Sequence, residues 1–288
     1  MEKNLNEYSK KIQDSLTLIK RGERLALSLN PKDGYFVGFS GGKDSQVLLE
    51  LVKMAGVKYR AFYSVTTIDP PENVNFIRKY YPDVTFLHPS KNFYELIKNK
   101  GLPTRKFRFC CIEFKEKYGA GYAVLTGVRA EESERRAKYN YITIASKRKE
   151  HADRSRKRTL DEIENNEHRC IKGKDKLMIY PILHWTTDEI WAFINERNLP
   201  VNPCYKKYKR VGCMFCPFAN KAQIERYEIL YPKMKEHIIK ALDIFLSNNH
   251  KKSSLRDINA EQYFEWWKSK MSIKQYLAEQ RQTKINFE

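Results

Sequence analysis

Apolar residues at the start of the chain recur at steps of three and four. Leu5, Tyr8, Ile12, Leu16 and Ile19 share one face of a helix predicted over residues 3–28. The turn cluster Asn30-Pro31-Lys32-Asp33-Gly34 ends it. The pattern then changes to short apolar runs bounded by turn residues. These predict strands at 35–39, 59–65, 84–87 and 122–126, with a short fifth at 177–180. Helical patterns at 46–54, 72–81 and 92–99 alternate with them, so the expectation is parallel βαβ units in an open α/β sheet. Thr186-Thr187-Asp188-Glu189 carries capping signals for a further helix running to Asn198. Beyond residue 221 the chain reads as helical, with Ile224, Tyr227, Leu230, Ile238, Leu242 and Phe245 as a buried stripe. Pro232 should kink or split that region. Three regions result: an N-terminal helix (1–30), an α/β domain (31–200) and a cysteine-containing, mainly helical region (201–288).

Composition narrows the class. Aromatic residues make up 13% of the 288, enough ring area to argue against a disordered chain. No apolar run approaches the roughly 18 residues of a membrane span. The N-terminus lacks the apolar core of a signal peptide, so the expectation is a cytoplasmic protein without a membrane partner. The net charge of +19 fits a solvated surface or a polyanionic partner. Its distribution is uneven. Ten Lys and Arg lie in 135–158, read as a mobile loop or insertion after the fourth strand, and four lie in 206–210. Tyr139, Tyr141, Tyr205 and Tyr208 are interleaved with these runs, a pattern that suits nucleic acid, although nucleotide phosphates would compete for the same charge. His151, His168 and His184 read as surface or packing residues, and Trp185, Trp191, Trp266 and Trp267 as core or interface.

Two features carry chemistry. The first is Ser40-Gly41-Gly42-Lys43-Asp44-Ser45, between a strand and a helix. Glycines let backbone N–H groups approach phosphate oxygens, the helix N-terminus adds about half a positive charge, and Lys43 adds a full one. The loop is not a Walker A motif, which needs Gly where Val37 stands and Ser or Thr where Asp44 stands. The second is the cysteine set. Cys110-Cys111 and the Cys213-Met214-Phe215-Cys216 pair supply four thiolates, enough for a [4Fe–4S] cluster or a Zn²⁺ ion. Cys170 reads as inert. Cys204 could be a packed thiol, a substitute ligand or a sulfur carrier.

The segment Val37 to Ser45 resembles the PP-loop of the ATP pyrophosphatases. Further motifs, Val65 to Glu72, Thr126 to Arg136, Tyr180 to Trp191 and Val211 to Phe218, are similar to the phosphoadenosine phosphosulfate (PAPS) reductase family and cover roughly 33–220 in order. The resemblance implies an adenine-nucleotide α-hydrolase-like fold: an open parallel sheet with helices on both faces and a helical C-terminal region. It implies that Ser40, Gly41, Gly42, Lys43 and Ser45 contact pyrophosphate and that Asp44 helps place Mg²⁺. Thr66 and Asp69 would lie near the nucleoside, and Gly127 and Arg129 near the phosphates, with Lys43, Asp44 and Arg129 as the catalytic set. The cysteine pattern resembles cluster-bearing adenylylsulfate reductases and the sulfurtransferases of DNA phosphorothioation, which favours iron–sulfur over zinc.

Reductases of this family use a cysteine in a C-terminal segment, and no Cys follows Cys216 here. The intact loop likewise points to ATP rather than a sulfonucleotide. The expected activity is therefore ATP cleavage that adenylates a target for sulfur transfer. The target would be a nucleic acid, DNA or tRNA, and a sulfur-donor protein could take part. The alternatives are a sulfonucleotide reductase or ATP sulfurylase-like enzyme, and a nucleic-acid-binding module with structural zinc.

Overall fold

A computed structural model describes residues 2–146, 159–163, 165, 171, 175–249 and 258–285. The chain begins with α1 (Glu2–Arg21) and α2 (Glu23–Leu29). The single helix expected over 3–28 is thus interrupted at Gly22, where the buried Tyr35 hydroxyl comes in and donates to the Ile19 carbonyl at 2.8 Å. Then follow β1 (Tyr35–Phe39), α3 (Lys43–Ala55), β2 (Tyr59–Ser64), α4 (Pro71–Tyr80), β3 (Thr85–Leu87), α5 (Phe93–Lys100) and the short α6 (Phe109–Cys111). A π turn, Ile112–Glu116, extends α6. Next come β4 (Ala123–Leu125), α7 (Glu134–Ala137), β5 (Ile142–Ala145), α8 (Leu160–Glu162), β6 (Lys176–Ile179) and α9 (Thr187–Glu196). The last helices are α10 (Lys221–Leu230), α11 (Pro232–Asn249), α12 (Ala260–Ser269) and α13 (Ile273–Ile285). No described helix is long and apolar enough to cross a membrane.

The six strands form one sheet in the order β3-β2-β1-β4-β6-β5. All neighbours are parallel except β5 and β6. The expected open α/β sheet with a helical C-terminal region is present, with one correction. The segment 135–158, expected to be a mobile loop or insertion, contains an antiparallel edge strand, Ile142–Ala145. The flanking basic residues hid it: Ile142 and Ile144 bury against the core while Thr143 bonds the Tyr180 hydroxyl at 3.1 Å. Residues 147–158 lie outside the described residues.

The strand order reverses between β1 and β4. Ligands of open α/β sheets bind in the crevice at such a switch point, beyond the carboxyl ends of the strands. The segment after β1 is the glycine loop, and the segment after β4 begins Thr126-Gly127. On one side of the sheet Tyr35, Val37 and Phe39 join the main core with Ile19, Leu48, Leu51, Val52, Phe193 and Trp185. On the other, Phe36 stacks on Phe62 at 4.3 Å beside Val124.

The chain divides into two compact units. One comprises 1–65, 70–88 and 116–212 and contains the sheet; the other comprises 66–69, 89–115 and 213–288. In the second, α5 packs against α11, and Phe93, Ile97, Phe215, Ile238, Leu242 and Phe264 are buried. Of the expected stripe, Ile224, Tyr227, Ile238, Leu242 and Phe245 are buried but Leu230 is 38% exposed. Leu230 ends α10, and Pro232 starts α11 afresh, so the helical phase does not carry across.

Candidate functional site

The sheet-bearing unit presents the glycine loop at the N-terminus of α3. Gly41 adopts φ of 74°, and a Cβ there would stand 2.3 Å from Asn73 Oδ1, so only glycine fits. The Gly41 carbonyl accepts from Asn202 Nδ2 at 2.8 Å and Gln46 Nε2 at 3.3 Å, and the Ser40 carbonyl accepts from Asn73 Nδ2 at 3.1 Å. Asn202 Nδ2 also donates to Asn73 Oδ1 at 2.7 Å. The C=O and N–H of a trans peptide point to opposite sides. Tying these carbonyls to buried amides therefore turns the N–H groups of Gly41 and Gly42 the other way, as an anion-binding loop requires. Ser45 is used within the loop: its hydroxyl accepts from the Ser40 N–H at 3.1 Å and donates to the Gly42 carbonyl at 2.8 Å. The Lys43 N–H donates to the Tyr205 hydroxyl at 2.7 Å, so a phenol oxygen stands at the helix N-terminus.

A charge network closes on the loop. Lys43 Nζ contacts both Asp44 oxygens, at 2.8 and 3.0 Å, and Arg129 Nε donates to Asp44 Oδ1 at 2.6 Å. Arg129 is 4% exposed and also donates to Glu131, to the Trp185 carbonyl at 3.1 Å and to Thr187 Oγ1 at 3.2 Å. Burial works against its charge, but the Asp44 and Glu131 carboxylates outweigh it and hold the guanidinium above its ordinary pKa. The structure thus brings together Ser40, Gly41, Gly42, Lys43, Asp44, Ser45, Gly127 and Arg129 in one unit.

Gly127 makes that assembly possible. A Cβ on it would meet the Asp44 backbone at 2.9 Å and the Ser45 nitrogen at 3.2 Å. Gly127→Ala is expected to force the end of β4 off the loop and cut nucleotide affinity by about tenfold or more, the cost of a displaced positioning group. Isothermal titration with a non-hydrolysable ATP analogue checks this; unchanged affinity would show that the close approach is not needed.

Two buried hydroxyls lie just past the strand ends. Thr126 Oγ1 after β4 and Thr66 Oγ1 after β2 have no hydrogen-bond partner among the described residues. Buried polar atoms are ordinarily paired, which sets these two hydroxyls apart.

Thr66 and Asp69 belong to the second unit, where they form a tight turn. The Thr66 N–H donates to Asp69 Oδ2 at 2.7 Å, and Thr67 adopts φ of 62°. The Ile68 carbonyl accepts the Met214 N–H at 2.9 Å, stitching this turn to the CxxC segment. Within that segment Phe215 adopts φ of 48°, a conformation costing about 1–3 kcal/mol. Its ring is fully buried against Tyr227 and Phe264, which holds it there.

The four expected ligand cysteines gather in the second unit. Cys110 hydrogen-bonds Cys111, and that bond, burial and the nearby charges of Cys111, Cys213 and Cys216 push its thiol up. Lys115 is held above its ordinary range, chiefly by its neighbour Cys213 and against burial, with Asp69, a hydrogen bond to Cys213 and Cys111 adding to the effect. Among the described residues no group of three or more His, Cys, Asp or Glu stands in the arrangement of a metal site. Electrostatic coupling nevertheless links Cys110 with Cys111, Cys213 and Cys216, and Lys115 lies beside Cys213.

Cys204 is fully buried in the first unit, its thiol pushed up to about 11 by burial first and the Glu72 charge second. Burial and a raised thiol pKa are what a packed thiol shows, one of the three roles the sequence allows it. Cys170 lies outside the described residues. In the 206–210 run Lys207 pairs with Glu72 at 2.5 Å and Arg210 with Glu132 at 3.7 Å, so two of its four charges are already matched. Tyr205, grouped with the basic run in the sequence, instead serves the loop. Asn73, Asn202, Thr126 and Tyr205 are site residues that sequence reasoning missed. No spacing rule signals that residues 202 and 205 return to a loop about 160 positions earlier.

Residues 34–219 match the phosphoadenosine phosphosulfate reductase domain family. An uncharacterized protein of Methanocaldococcus jannaschii is 27% identical over 248 residues, 81% of this chain and 53% of that protein, so the chain spans about half the length of that relative. An adenosine 5′-phosphosulfate reductase of Bacillus cereus is 23% identical over 190 residues, 62% of this chain and 70% of that enzyme. The crystal structure of a phosphoadenylyl-sulfate reductase from Candida auris aligns at TM-score 0.44 and 18% identity, covering 68% of this chain and 87% of that one.

Proposed function

Because the chain belongs to the phosphoadenosine phosphosulfate reductase family, we propose that it cleaves ATP between the α and β phosphates, adenylating a nucleic-acid acceptor for sulfur transfer. The observation that carries this reading is the complete loop at the switch point, with Lys43, Asp44 and Arg129 joined in one ion network. A tight turn alone needs no such investment of buried charge. A departing pyrophosphate does, because negative charge accumulates on it as the bond breaks.

In the proposed reaction an acceptor oxygen attacks the α-phosphorus, the bond to the β-phosphate oxygen breaks, and pyrophosphate leaves. Gly41, Gly42 and Lys43 hold the leaving group through backbone N–H groups, with the Ser40 hydroxyl and the Lys43 ammonium beside them. Ser45 keeps the loop in shape. Nucleotide binding displaces the Tyr205 hydroxyl from the Lys43 N–H and draws Lys43 Nζ from Asp44 to the phosphates. Arg129 stays on Asp44 and fixes its carboxylate. One carboxylate beside two or three phosphate oxygens is the donor set Mg²⁺ takes, so Asp44 would hold it. The unpaired Thr126 hydroxyl, in the same unit as the loop, would bond the nucleotide. A sulfur nucleophile then attacks the adenylated carbon, its C–O bond breaks, and AMP leaves.

Cys110, Cys111, Cys213 and Cys216 would hold a [4Fe–4S] cluster, with Zn²⁺ as the other metal such thiolates accept. When bound, the cluster would bind or deliver the sulfur. Lys115 would balance thiolate charge.

The test is an assay of pyrophosphate release from ATP and Mg²⁺, with and without single-stranded DNA or tRNA, on protein purified without oxygen and assayed for iron and zinc. Acceptor-stimulated pyrophosphate release is expected. Sulfite release from a sulfonucleotide without ATP cleavage would assign the reductase reading instead. Zinc with no nucleotide turnover would leave only the binding module.

A further inference from the structure

The second unit carries two exposed rings close to its cysteines. Phe107 and Phe218 are each 56% exposed, against an aromatic complement that is otherwise mostly buried. We propose that they form a stacking platform for unpaired bases of a single-stranded polynucleotide; this rests on the acceptor proposed above and gives it a binding surface.

Single exposed apolar residues are ordinary and need no explanation. These two are built into one frame. Phe107 ends a turn closed twice: its N–H donates to Thr104 Oγ1 at 3.0 Å, and the Thr104 N–H donates to its carbonyl at 3.1 Å. Behind it the Phe109 ring, 2% exposed, lies 5.6 Å away at 57°. Arg105 Nε in the same turn donates to the Pro217 carbonyl at 3.3 Å, joining the turn to the residue before Phe218. The Arg108 guanidinium lies over the Phe218 ring, 5.3 Å from its centroid. Both rings flank the thiols in sequence: Phe107 is three residues before Cys110, and Phe218 two after Cys216.

Charge selects the partner. Residues 100–108 carry Lys100, Arg105, Lys106 and Arg108 and no Asp or Glu. Cores of protein interfaces are depleted in charge. Fixed aromatic rings among Lys and Arg instead match a strand whose bases stack while its phosphates meet cations. A duplex hides its base faces, so the surface suits unpaired bases, which stack on aromatic rings or on an arginine plane.

The experiment measures binding of short labelled oligodeoxythymidylate, oligouridylate and a duplex by fluorescence anisotropy over a salt series. Wild type, Phe107→Ala, Phe218→Ala, the double variant and Phe107→Tyr are compared, with melting temperature as the check on folding. Each alanine should weaken single-strand binding about tenfold and the pair more, with the salt slope unchanged because the cations remain; tyrosine should retain binding. If wild type binds single strands and the folded double variant binds within about twofold of it, below any stacking effect, the platform is wrong and the acceptor reading stands. Equal affinity of wild type for the duplex also overturns the platform. If wild type binds no polynucleotide, platform and acceptor fall together.

Discussion

Lys43→Ala is expected to lower pyrophosphate release from ATP by about 10²–10³-fold, the usual loss when one preorganised donor to a developing charge is removed. The melting temperature should hardly move. Lys43 sits on Asp44, but Arg129 also holds that carboxylate at 2.6 Å, so no buried charge is orphaned. A partly exposed pair of this kind contributes under about 1 kcal/mol to stability. The loss should therefore be catalytic. Steady-state pyrophosphate release and a thermal melt on the same preparation separate the two effects. Turnover close to wild type would remove Lys43 from the phosphates and with it the assignment of the loop.

Arg129→Ala should act on both properties. Its guanidinium is 4% exposed and joins Asp44, Glu131, Thr187 and the Trp185 carbonyl. Removing it leaves two carboxylates facing a void and a buried carbonyl without its donor. Breaking a buried pair from one side costs about 3–5 kcal/mol, and because Asp44 and Glu131 keep some solvent contact, about 2–4 kcal/mol is the better figure here. The melting temperature should fall on the order of 10 °C. Nucleotide turnover should be lost as Asp44 and the first turn of α3 lose their anchor. Arg129→Lys keeps the charge without the fork and should fall between. Adding Asp44→Asn to Arg129→Ala should recover part of the stability and none of the activity. An Arg129→Ala protein that melts with wild type would show that the network holds nothing in place.

Where the chain was legible and where it was not follows from the range of each interaction. The loop from Ser40 to Ser45 could be read because strand, glycines and helix start are consecutive, and its chemistry needs only neighbours. The βαβ alternation was legible for the same reason: each element carries its own period. β5 was not, because Ile142–Ala145 lie among basic residues and gain their strand character from pairing with β6. The break at Gly22 was missed because Tyr35, the residue that requires it, comes from β1. Leu230 was misplaced because a stripe read across Pro232 assumes a phase the proline resets.

Sequence alone determined the fold class, the family resemblance and the residue types available for chemistry: a glycine loop with a lysine, an arginine beyond β4 and four cysteines in two pairs. Each of these is written in contiguous residues whose local geometry is nearly independent of the rest. Only the tertiary structure decided what those residues hold. It gave the loop carbonyls to Asn73 and Asn202, the Lys43 N–H to Tyr205 and the Asp44 carboxylate to Arg129. It coupled Cys110 with Cys111, Cys213 and Cys216, set Lys115 beside Cys213 and fully buried Cys204. Hydrogen bonds and charges act over a few ångströms, so partners more than a hundred residues apart in the chain are chosen by packing, which no local pattern encodes.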